Sequence, residues 1–141
     1  MSAIADTSFV LALLIKTDRR REDCLAIYKA QDDRIYLPQS TLNEVAYLLG
    51  SIEGSRGVAQ FLNSLPNTKY DLMPLLAEDL ARTADLLTTY HDSRLDFVDA
   101  SIAAMAERLS ITQVLTLDHR DFSIIRPAHA PHFDLLPAPK P

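Results

Sequence analysis

The sequence predicts an α/β fold of three layers, in which helices cover both faces of a central, mostly parallel sheet of four to five strands. Short apolar runs alternate along the chain with longer stretches whose apolar residues recur every three or four positions. Such alternation is typical of right-handed crossovers between parallel strands. Acidic residues also stand where strand-like runs give way to helix-like ones. These residues are Asp6, Glu44, Asp99 and Asp118.

Length and composition fit one domain that spans residues 1–141. With 141 residues, of which 48% are hydrophobic, the chain can bury about 68–70% of its unfolded surface. Cys24 is the sole cysteine, which excludes an intramolecular disulfide and a thiolate zinc cluster and fits a reducing cytoplasm. The apolar stretch 3–15 is interrupted by Asp6 and is too short to span a bilayer, so we predict a cytoplasmic protein without a membrane segment.

The first part of the chain contains two predicted strands and two predicted helices. Residues 3–5 are apolar and lead into a helical pattern over 9–15, and a second helix is predicted over 20–30. Residues 34–37 form the second predicted strand. Pro38 favours extended geometry in the residue before it and cannot donate to the ladder of a central strand.

The middle of the chain predicts a helix, a loose stretch, a short helix and a strand. The first helix starts at Ser40 or Thr41. Residues 50–57 contain all three glycines and are therefore predicted to be loose, with a short helix over 58–65 closed by a proline. Residues 70–73, which precede another proline, form the third predicted strand.

The last part of the chain predicts two helices and two strands. Apolar residues spaced by three and four indicate helices over 77–90 and 96–109. The fourth strand is predicted over 113–117, and a short fifth strand at an edge of the sheet over 132–136. Prolines beyond it predict an irregular tail at about 137–141.

The acids have an ordinary structural explanation as helix caps, each worth about 1 kcal/mol. Thr41 and Glu44 have the spacing of a capping box, in which the glutamate reaches back to the cap amide. Asp96 can cap the helix in which Asp99 occupies the third position. The first and last of the four acids can likewise cap the helices that follow them.

Capping alone does not explain why the acids follow strand ends on one side of a sheet. In an open parallel sheet, ligands bind in the crevice outside the carboxyl ends of the strands. Carboxylates gathered there suit Mg²⁺ or Mn²⁺, which assist phosphodiester hydrolysis. Asp96 and Asp99 share one helical face, and Asp99 is the stronger candidate because apolar residues flank it. Asp96 is then a cap or an outer acid, and Asp121 is interpreted as structural.

Four segments that carry these acids follow one another in a characteristic order. They are Ile4-Ala-Asp-Thr-Ser-Phe9, the helix around Glu44, Phe97-Val-Asp-Ala-Ser-Ile-Ala103 and Leu115-Thr-Leu-Asp-His-Arg-Asp-Phe122. Together they resemble the successive motifs of PIN-domain ribonucleases, specifically the VapC toxins of bacterial toxin–antitoxin pairs. The resemblance extends from about residue 2 to about residue 136.

The resemblance implies a Mg²⁺-dependent endoribonuclease, with Mn²⁺ as an alternative ion, that cleaves structured RNA such as transfer RNA or a ribosomal RNA loop. It makes Asp6 and Asp99 the direct metal ligands, with Glu44 and Asp118 completing the site through water or by orienting the hydrolytic water. It also implies a co-encoded antitoxin and a homodimer. Asp96 departs from the pattern, since similar sequences often carry a small or neutral residue there.

Charge patterning adds weaker indications. A net charge of −5 argues against recognition of nucleic acid by bulk positive charge. Local cations occur over 16–21 and at His119 and Arg120, where contact with phosphate and plain solvation both remain open. The four histidines lack the spacing of a zinc site. Apolar helix faces can bury against the core or accept an antitoxin helix.

Two other functions fit parts of the sequence. In a catalytically silent PIN-like binding module, the acids would only cap helices and the protein would work through complex formation. A phosphoryl-transfer domain of the receiver or haloacid-dehalogenase type also places acids at strand ends. That second alternative is disfavoured, because Asp6 is followed by Thr7 and Ser8 and not by a paired aspartate, and no lysine stands directly after the fourth predicted strand.

Overall fold

The computed structural model describes residues 1–140, over which five parallel strands form one sheet. The strands are β1 (Ala3–Ala5), β2 (Ile35–Pro38), β3 (Tyr70–Met73), β4 (Gln113–Leu115) and β5 (Asp134–Leu136). Their spatial order is β3-β2-β1-β4-β5. The helices are α1 (Thr7–Leu14), α2 (Arg21–Ala30), α3 (Gln39–Ser64), α4 (Ala77–Thr89), α5 (Phe97–Arg108) and α6 (His119–Ile124), with a 3₁₀ turn at Leu65–Asn67.

The central strand β1 has a neighbour on each side and is fully buried. Ile4 is in register with Tyr36 of β2 and with Val114 of β4. A parallel strand covered on both faces is expected to be apolar throughout, and no residue of β1 has exposed surface. The amide of Asp6 then donates to the carbonyl oxygen of Leu115 at 2.9 Å. The pairing of β1 with β4 therefore fixes the position of Asp6.

Side chains that alternate along the strands enter two separate cores. Ile4 and Val114 pack with α4, α5 and α6 on one face, whereas Leu37 and Leu115 pack with α1, α2 and α3 on the other. The predicted three-layer α/β fold with a parallel sheet is thus confirmed. Within residues 1–140, no helix combines the length and the apolar character needed to cross a bilayer.

The glycine-containing stretch is helical except at Gly54, so the prediction of a loose segment over 50–57 is wrong. The prediction of a separate helix over 58–65 is confirmed in part, because a second helical segment follows Gly54 and begins before residue 58. α3 consists of two helical segments joined at a kink, where Gly54 leaves helical geometry with a φ of 73°. A glycine inside a helix costs about 1 kcal/mol relative to alanine, which tertiary packing outweighs here. Leu49 before the kink and Phe61 after it enter the same core, and Gly54 supplies the positive φ that the bend requires.

Two predicted strand ends shift by one or two residues. β2 includes Pro38, but β1 pairs with β2 only as far as Tyr36. Pro38 lacks an amide hydrogen, but this does not interrupt the hydrogen bonds between β2 and the central strand. β4 ends at Leu115 and not at residue 117, and Thr116 beyond it donates its hydroxyl to the carboxylate of Asp6 at 2.7 Å.

The capping box suggested by Thr41 and Glu44 does not form. α3 begins already at Gln39, directly after β2. The hydroxyl of Thr41 instead donates to the carbonyl oxygen of Ala5 at 3.0 Å. This bond ties the start of α3 to the end of the central strand.

The C-terminal segment agrees with the sequence-based expectation over the described residues. β5 pairs with β4 at an edge of the sheet, as predicted. Residues 137–140 have no regular structure. Pro141, which the predicted tail included, lies outside the described residues.

A buried ion pair joins α4 to α5. Nε of Arg108 donates to Oδ1 of Asp79 at 2.8 Å, and Nη2 of Arg108 donates to Oδ2 of Asp79 at 3.0 Å. Asp79 is only 1% exposed, and its Oδ2 also accepts the amide of Leu76 at 2.9 Å. A second pair, between Arg82 and Glu107 at 2.7 Å, lies on the same two helices. These contacts fix α5, the helix that carries one of the predicted site acids.

We expect Arg108→Met to lower the free energy of unfolding by about 3–5 kcal/mol, because it leaves the Asp79 carboxylate buried without a partner. The matched double variant Asp79→Asn/Arg108→Met removes both charges and keeps an oxygen to cap α4, so it should recover most of the loss. Urea unfolding of the wild type and both variants measures these changes. Equal losses in the single and double variants would contradict the assignment.

Candidate active site

Asp6 stands at the carboxyl end of the central strand, where hydroxyl groups hold its side chain. Its Oδ2 accepts hydrogen bonds from Oγ1 of Thr116 at 2.7 Å and from Oγ of Ser8 at 3.0 Å. Asp6 precedes α1 but makes no side-chain cap bond, so the expected capping role is absent. Since hydroxyl donors carry no charge, these contacts orient the buried carboxylate without neutralising it.

The same hydroxyl groups place the loop that follows β4. Oγ of Ser8 accepts the amide of Leu117 at 2.9 Å. Oγ1 of Thr116 accepts the amide of Asp118 at 2.8 Å. Asp6 and Asp118 are therefore positioned by one network, although they come from opposite ends of the chain.

Asp96 and Asp99 cap α5 reciprocally. Oδ1 of Asp96 accepts the amide of Asp99 at 2.9 Å, and Oδ2 of Asp99 accepts the amide of Asp96 at 3.4 Å. This confirms the predicted cap. Asp99 is 8% exposed, whereas Asp96 is exposed. The two acids thus share one local structure while only Asp99 is buried at the site.

Asp118 and Asp121 repeat this spacing at the start of α6. Oδ1 of Asp118 accepts the amide of Asp121 at 3.3 Å, which is the cap expected from the sequence. One carboxylate oxygen from each of Asp99, Asp118 and Asp121 lies within 4.8 Å of the other two. Asp121, interpreted from sequence as structural, therefore also belongs to the acidic cluster. In the sequence, the spacing of three residues between Asp118 and Asp121, which equals that between Asp96 and Asp99, could have indicated that Asp121 belongs to the site.

These acids line one cleft of about 350 Å³. Glu44 of α3 lines it together with Asp6, Asp99 and Asp118, so the structure brings all four predicted acids to one place. Among the described residues of the lining, Arg94 is the one cation. The other lining residues are Thr7, Ser8, Leu11, Leu48, Asp96 and Asp121.

A second cavity of about 390 Å³ lies between α1 and α3, away from these acids. Its lining includes one carboxylate, from Glu53, and one ammonium group, from Lys16. The two formal charges balance, so this cavity lacks the excess negative charge that would favour a cation. We therefore take the acidic cleft, and not this larger cavity, as the candidate site.

Burial and repulsion raise the pKa of the two deepest acids in the acidic cleft. The pKa of Asp99 rises to about 8, first because burial disfavours its charged form and then because Asp96 and Asp6 lie nearby. Burial also raises the pKa of Asp6, against the opposing effect of its two hydroxyl donors. A bound cation would therefore stabilise the charged form of both carboxylates.

The pKa of Asp121, at the other side of the cluster, is also raised. Burial and the neighbouring Asp118 raise its pKa, while Arg94 and Arg120 act in the opposite direction. The net effect is still upward. The acidic cleft thus carries more negative charge than its nearby cations offset.

The groups that line the cleft fit a hard divalent cation. Carboxylate and hydroxyl oxygens dominate its polar lining, and Mg²⁺ and Mn²⁺ prefer such ligands and retain several waters. Oγ1 of Thr7 is buried and has no hydrogen-bond partner among the described residues. Since buried hydroxyl groups normally have a partner, this oxygen suits an ion-bound water. The candidate ligands are therefore Asp6 and Asp99, with the neighbouring acids around them.

Two residues of the site have no counterpart in the sequence-based prediction. Thr116 lies within the strand predicted over 113–117, where a buried threonine is ordinary and gives no functional signal. Arg94 lies in the loop before Asp96, and its position beside the acidic motif is the one feature of the sequence that could have indicated a role in the site. Both contribute through tertiary contacts that sequence spacing does not reveal.

Comparison with known proteins relates both the sequence and the fold to one family. The PIN domain family model matches residues 3–126. Ribonuclease VapC26 of Mycobacterium tuberculosis is 29% identical over 137 residues, which cover 95% of this chain and 99% of that protein. The crystal structure of Mycobacterium tuberculosis VapC20, a sarcin–ricin loop cleaving toxin, matches with a TM-score of 0.80 and 21% identity over 92% of this chain and 98% of that chain.

Solved toxin–antitoxin assemblies have the same fold. VapBC2 from Rickettsia felis, bound to a DNA fragment from its promoter, matches with a TM-score of 0.72 and 16% identity over 96% of this chain and 97% of that chain. A toxin–antitoxin complex from Klebsiella pneumoniae matches with a TM-score of 0.67 and 19% identity over 94% of this chain and 99% of that chain. At these identities the likeness establishes the shared fold.

We expect the metal-free protein to lose stability as the pH rises from about 4 to about 8. Over this range the folded state keeps a proton on Asp99, whose pKa is about 8, whereas the unfolded state has released it at an ordinary aspartate pKa of about 4. Because the folded state binds more protons, the free energy of unfolding falls with rising pH. Urea unfolding in EDTA at both ends of the range measures this slope.

Matched variants test whether Asp99 causes the slope. Asp99→Asn should flatten it, and Asp85→Asn, which changes an exposed aspartate on α4, should leave it unchanged. Equal slopes in the wild type and in Asp99→Asn would contradict the raised pKa of Asp99.

Proposed function

This chain belongs to the PIN domain family, and we propose that it is a Mg²⁺-dependent endoribonuclease that acts as the toxin of a toxin–antitoxin pair. The observation that carries the proposal is the convergence of Asp6, Glu44, Asp99 and Asp118 in one cleft at the carboxyl ends of parallel strands. The relative that is 29% identical is named a ribonuclease. Mn²⁺, which prefers the same ligands, is expected to replace Mg²⁺.

The buried acids are the proposed metal ligands. Asp6 is held by Thr116 and Ser8, and a carboxylate fixed in this way is ready to bind without reorganisation. The raised pKa of Asp99 supports the same role, since a bound cation would relieve its repulsion from Asp96 and Asp6. Asp6 and Asp99 would hold the Mg²⁺, which would neutralise charge at the scissile phosphate and favour ionisation of the attacking water.

The remaining acids are proposed to complete the site. Glu44 faces the cleft from α3 and Asp118 from the loop after β4. From these two sides they would hold ion-bound waters or orient the hydrolytic water. Arg94 lines the same cleft and would contact phosphate oxygens of the substrate. Direct attack by water would leave a 5′-phosphate and a 3′-hydroxyl.

Structured RNA, such as transfer RNA or a ribosomal RNA loop, is the proposed substrate, and a co-encoded antitoxin and a second copy of the chain are the proposed partners. The assemblies from Rickettsia felis and Klebsiella pneumoniae support the antitoxin. An apolar surface on α3 supports a protein partner, because Tyr47 and Ile52 are 76% and 61% exposed beside Leu48 of the acidic cleft. Because the proposed substrate is cellular RNA, we expect this activity in the cytoplasm.

A catalytically silent binding module remains the second candidate function. The observation that favours it is that Asp96, Asp99 and Asp118 take part in helix caps, which need no catalysis. This alternative predicts neither RNA cleavage nor binding of divalent ions above background. The two functions are therefore separable by experiment.

RNA cleavage should require Mg²⁺ or Mn²⁺ and should be abolished by Asp6→Asn and by Asp99→Asn, because each removes a proposed ligand. Ser8→Ala and Thr116→Val should lower activity by about 10–100-fold, since these hydroxyl groups orient Asp6 and the loop of Asp118 but are not proposed ligands themselves. Cleavage of structured RNA resolved on denaturing gels measures these rates. Asp85→Asn serves as the control for an exposed aspartate, and cleavage that survives both ligand substitutions would overturn the assignment.

Mg²⁺ should raise the thermal stability of the wild-type protein, because an ion that binds only the folded state stabilises it. The expected gain is about 2.7 kcal/mol at a concentration one hundred times the Kd. Differential scanning fluorimetry with and without Mg²⁺ measures the shift, which should disappear in Asp6→Asn/Asp99→Asn. An unchanged melting temperature of the wild type at all Mg²⁺ concentrations would favour the silent binding module.

A further inference from the structure

The acidic cleft adjoins another cavity, distinct from the one between α1 and α3, whose lining carries several cationic side chains. This cavity of about 330 Å³ is lined by Arg20, His119, Arg120 and Lys140, and we call it the cationic cleft. Asp118 lines both the cationic cleft and the acidic cleft. The two clefts therefore meet at a residue of the proposed catalytic site.

Asp23 holds two of these cations together. Its Oδ2 accepts Nε of Arg20 at 2.9 Å and Nζ of Lys140 at 3.2 Å. Nη2 of Arg20 also donates to the carbonyl oxygen of Ala138 at 3.3 Å, so the C-terminal segment packs against the start of α2. With Arg120, three permanent cations stand against the carboxylates of Asp23 and Asp118, which leaves one net positive charge.

The cations of this cleft remain accessible. The side chains of Arg20 and Lys140 are 25% and 61% exposed, and Arg120 is also exposed. Several other cations are engaged elsewhere, such as Arg82 and Arg108 with buried carboxylates. Because the chain has a net charge of −5, attraction of a polyanion has to come from a local cluster.

We propose that the cationic cleft binds a backbone phosphate of RNA next to the phosphate that is cleaved. The inference rests on the proposed ribonuclease function and adds the residues that hold its substrate. The guanidinium groups of Arg20 and Arg120 suit bidentate contact with phosphate oxygens, and Lys140 adds a point charge. The contact is the same in the bound substrate and in the transition state, so it strengthens binding and does not accelerate the chemical step.

Binding of RNA at several salt concentrations tests this role directly. The full chain carries Asp6→Asn to prevent cleavage, and the probe is a fluorescein-labelled RNA stem-loop followed by fluorescence anisotropy. The test variant is Arg120→Gln/Lys140→Gln. The control is Lys29→Gln/Arg56→Gln, which removes one lysine and one arginine that are also exposed and line neither cleft.

The test variant should bind RNA more weakly, and the magnitude of its slope of log K against log salt should be smaller by about 0.7–0.9, which is the contribution of one lost phosphate contact. The control variant should keep the slope of the parent protein. With Asp6 restored, the test variant should show a raised KM and an unchanged kcat. Equal slopes in the test and control variants would overturn the proposal.

The outcomes also separate this inference from the proposed function. Cleavage of RNA by the wild type together with equal slopes in both variants would overturn the cationic cleft alone. A difference in slopes without any cleavage by the wild type would support the cationic cleft and contradict the ribonuclease activity. Absence of RNA binding by both the wild type and the Asp6→Asn protein would overturn both.

Discussion

The hydrogen bonds between the ends of β1 and β4 determine where the candidate site forms. The amide of Asp6 donates to Leu115, and its carboxylate accepts the hydroxyl of Thr116. Thr116 in turn accepts the amide of Asp118. A shift of one residue in this pairing would turn every side chain of the strand to the opposite face of the sheet. The register of β1 and β4 therefore also fixes the positions of Asp6 and Asp118.

Gathering these acids has an electrostatic cost that the rest of the fold has to tolerate. Asp6 and Asp99 are both buried, and the pKa of each is raised. Structures violate local rules of this kind mainly at functional sites and offset the cost elsewhere. Here the buried contact between Asp79 and Arg108 ties α4 to α5, which keeps Asp99 in place despite the repulsion around it.

The strands and most helices could be predicted from local patterns because their signals are local. A three-residue apolar run before Asp6 is enough to identify β1, and periodic apolar residues identify α4 and α5. The glycines of α3 made the predicted break too long, because only Gly54 leaves helical geometry while the packing of Leu49 and Phe61 keeps the flanking residues helical. The same limit explains Thr41, whose hydroxyl bonds to Ala5 of the neighbouring strand and not to its own helix.

For the site, the sequence by itself determined which side chains are the candidates for the chemistry, since Asp6, Glu44, Asp99 and Asp118 each follow a recognisable change of pattern. Only the tertiary structure decided which other groups join them. Asp121 enters the acidic cluster, and Lys140 reaches the cationic cleft from the far end of the chain. The physical reason is that residue type and spacing are fixed along the chain, whereas charge repulsion and shared hydrogen bonds depend on distances that exist only after folding.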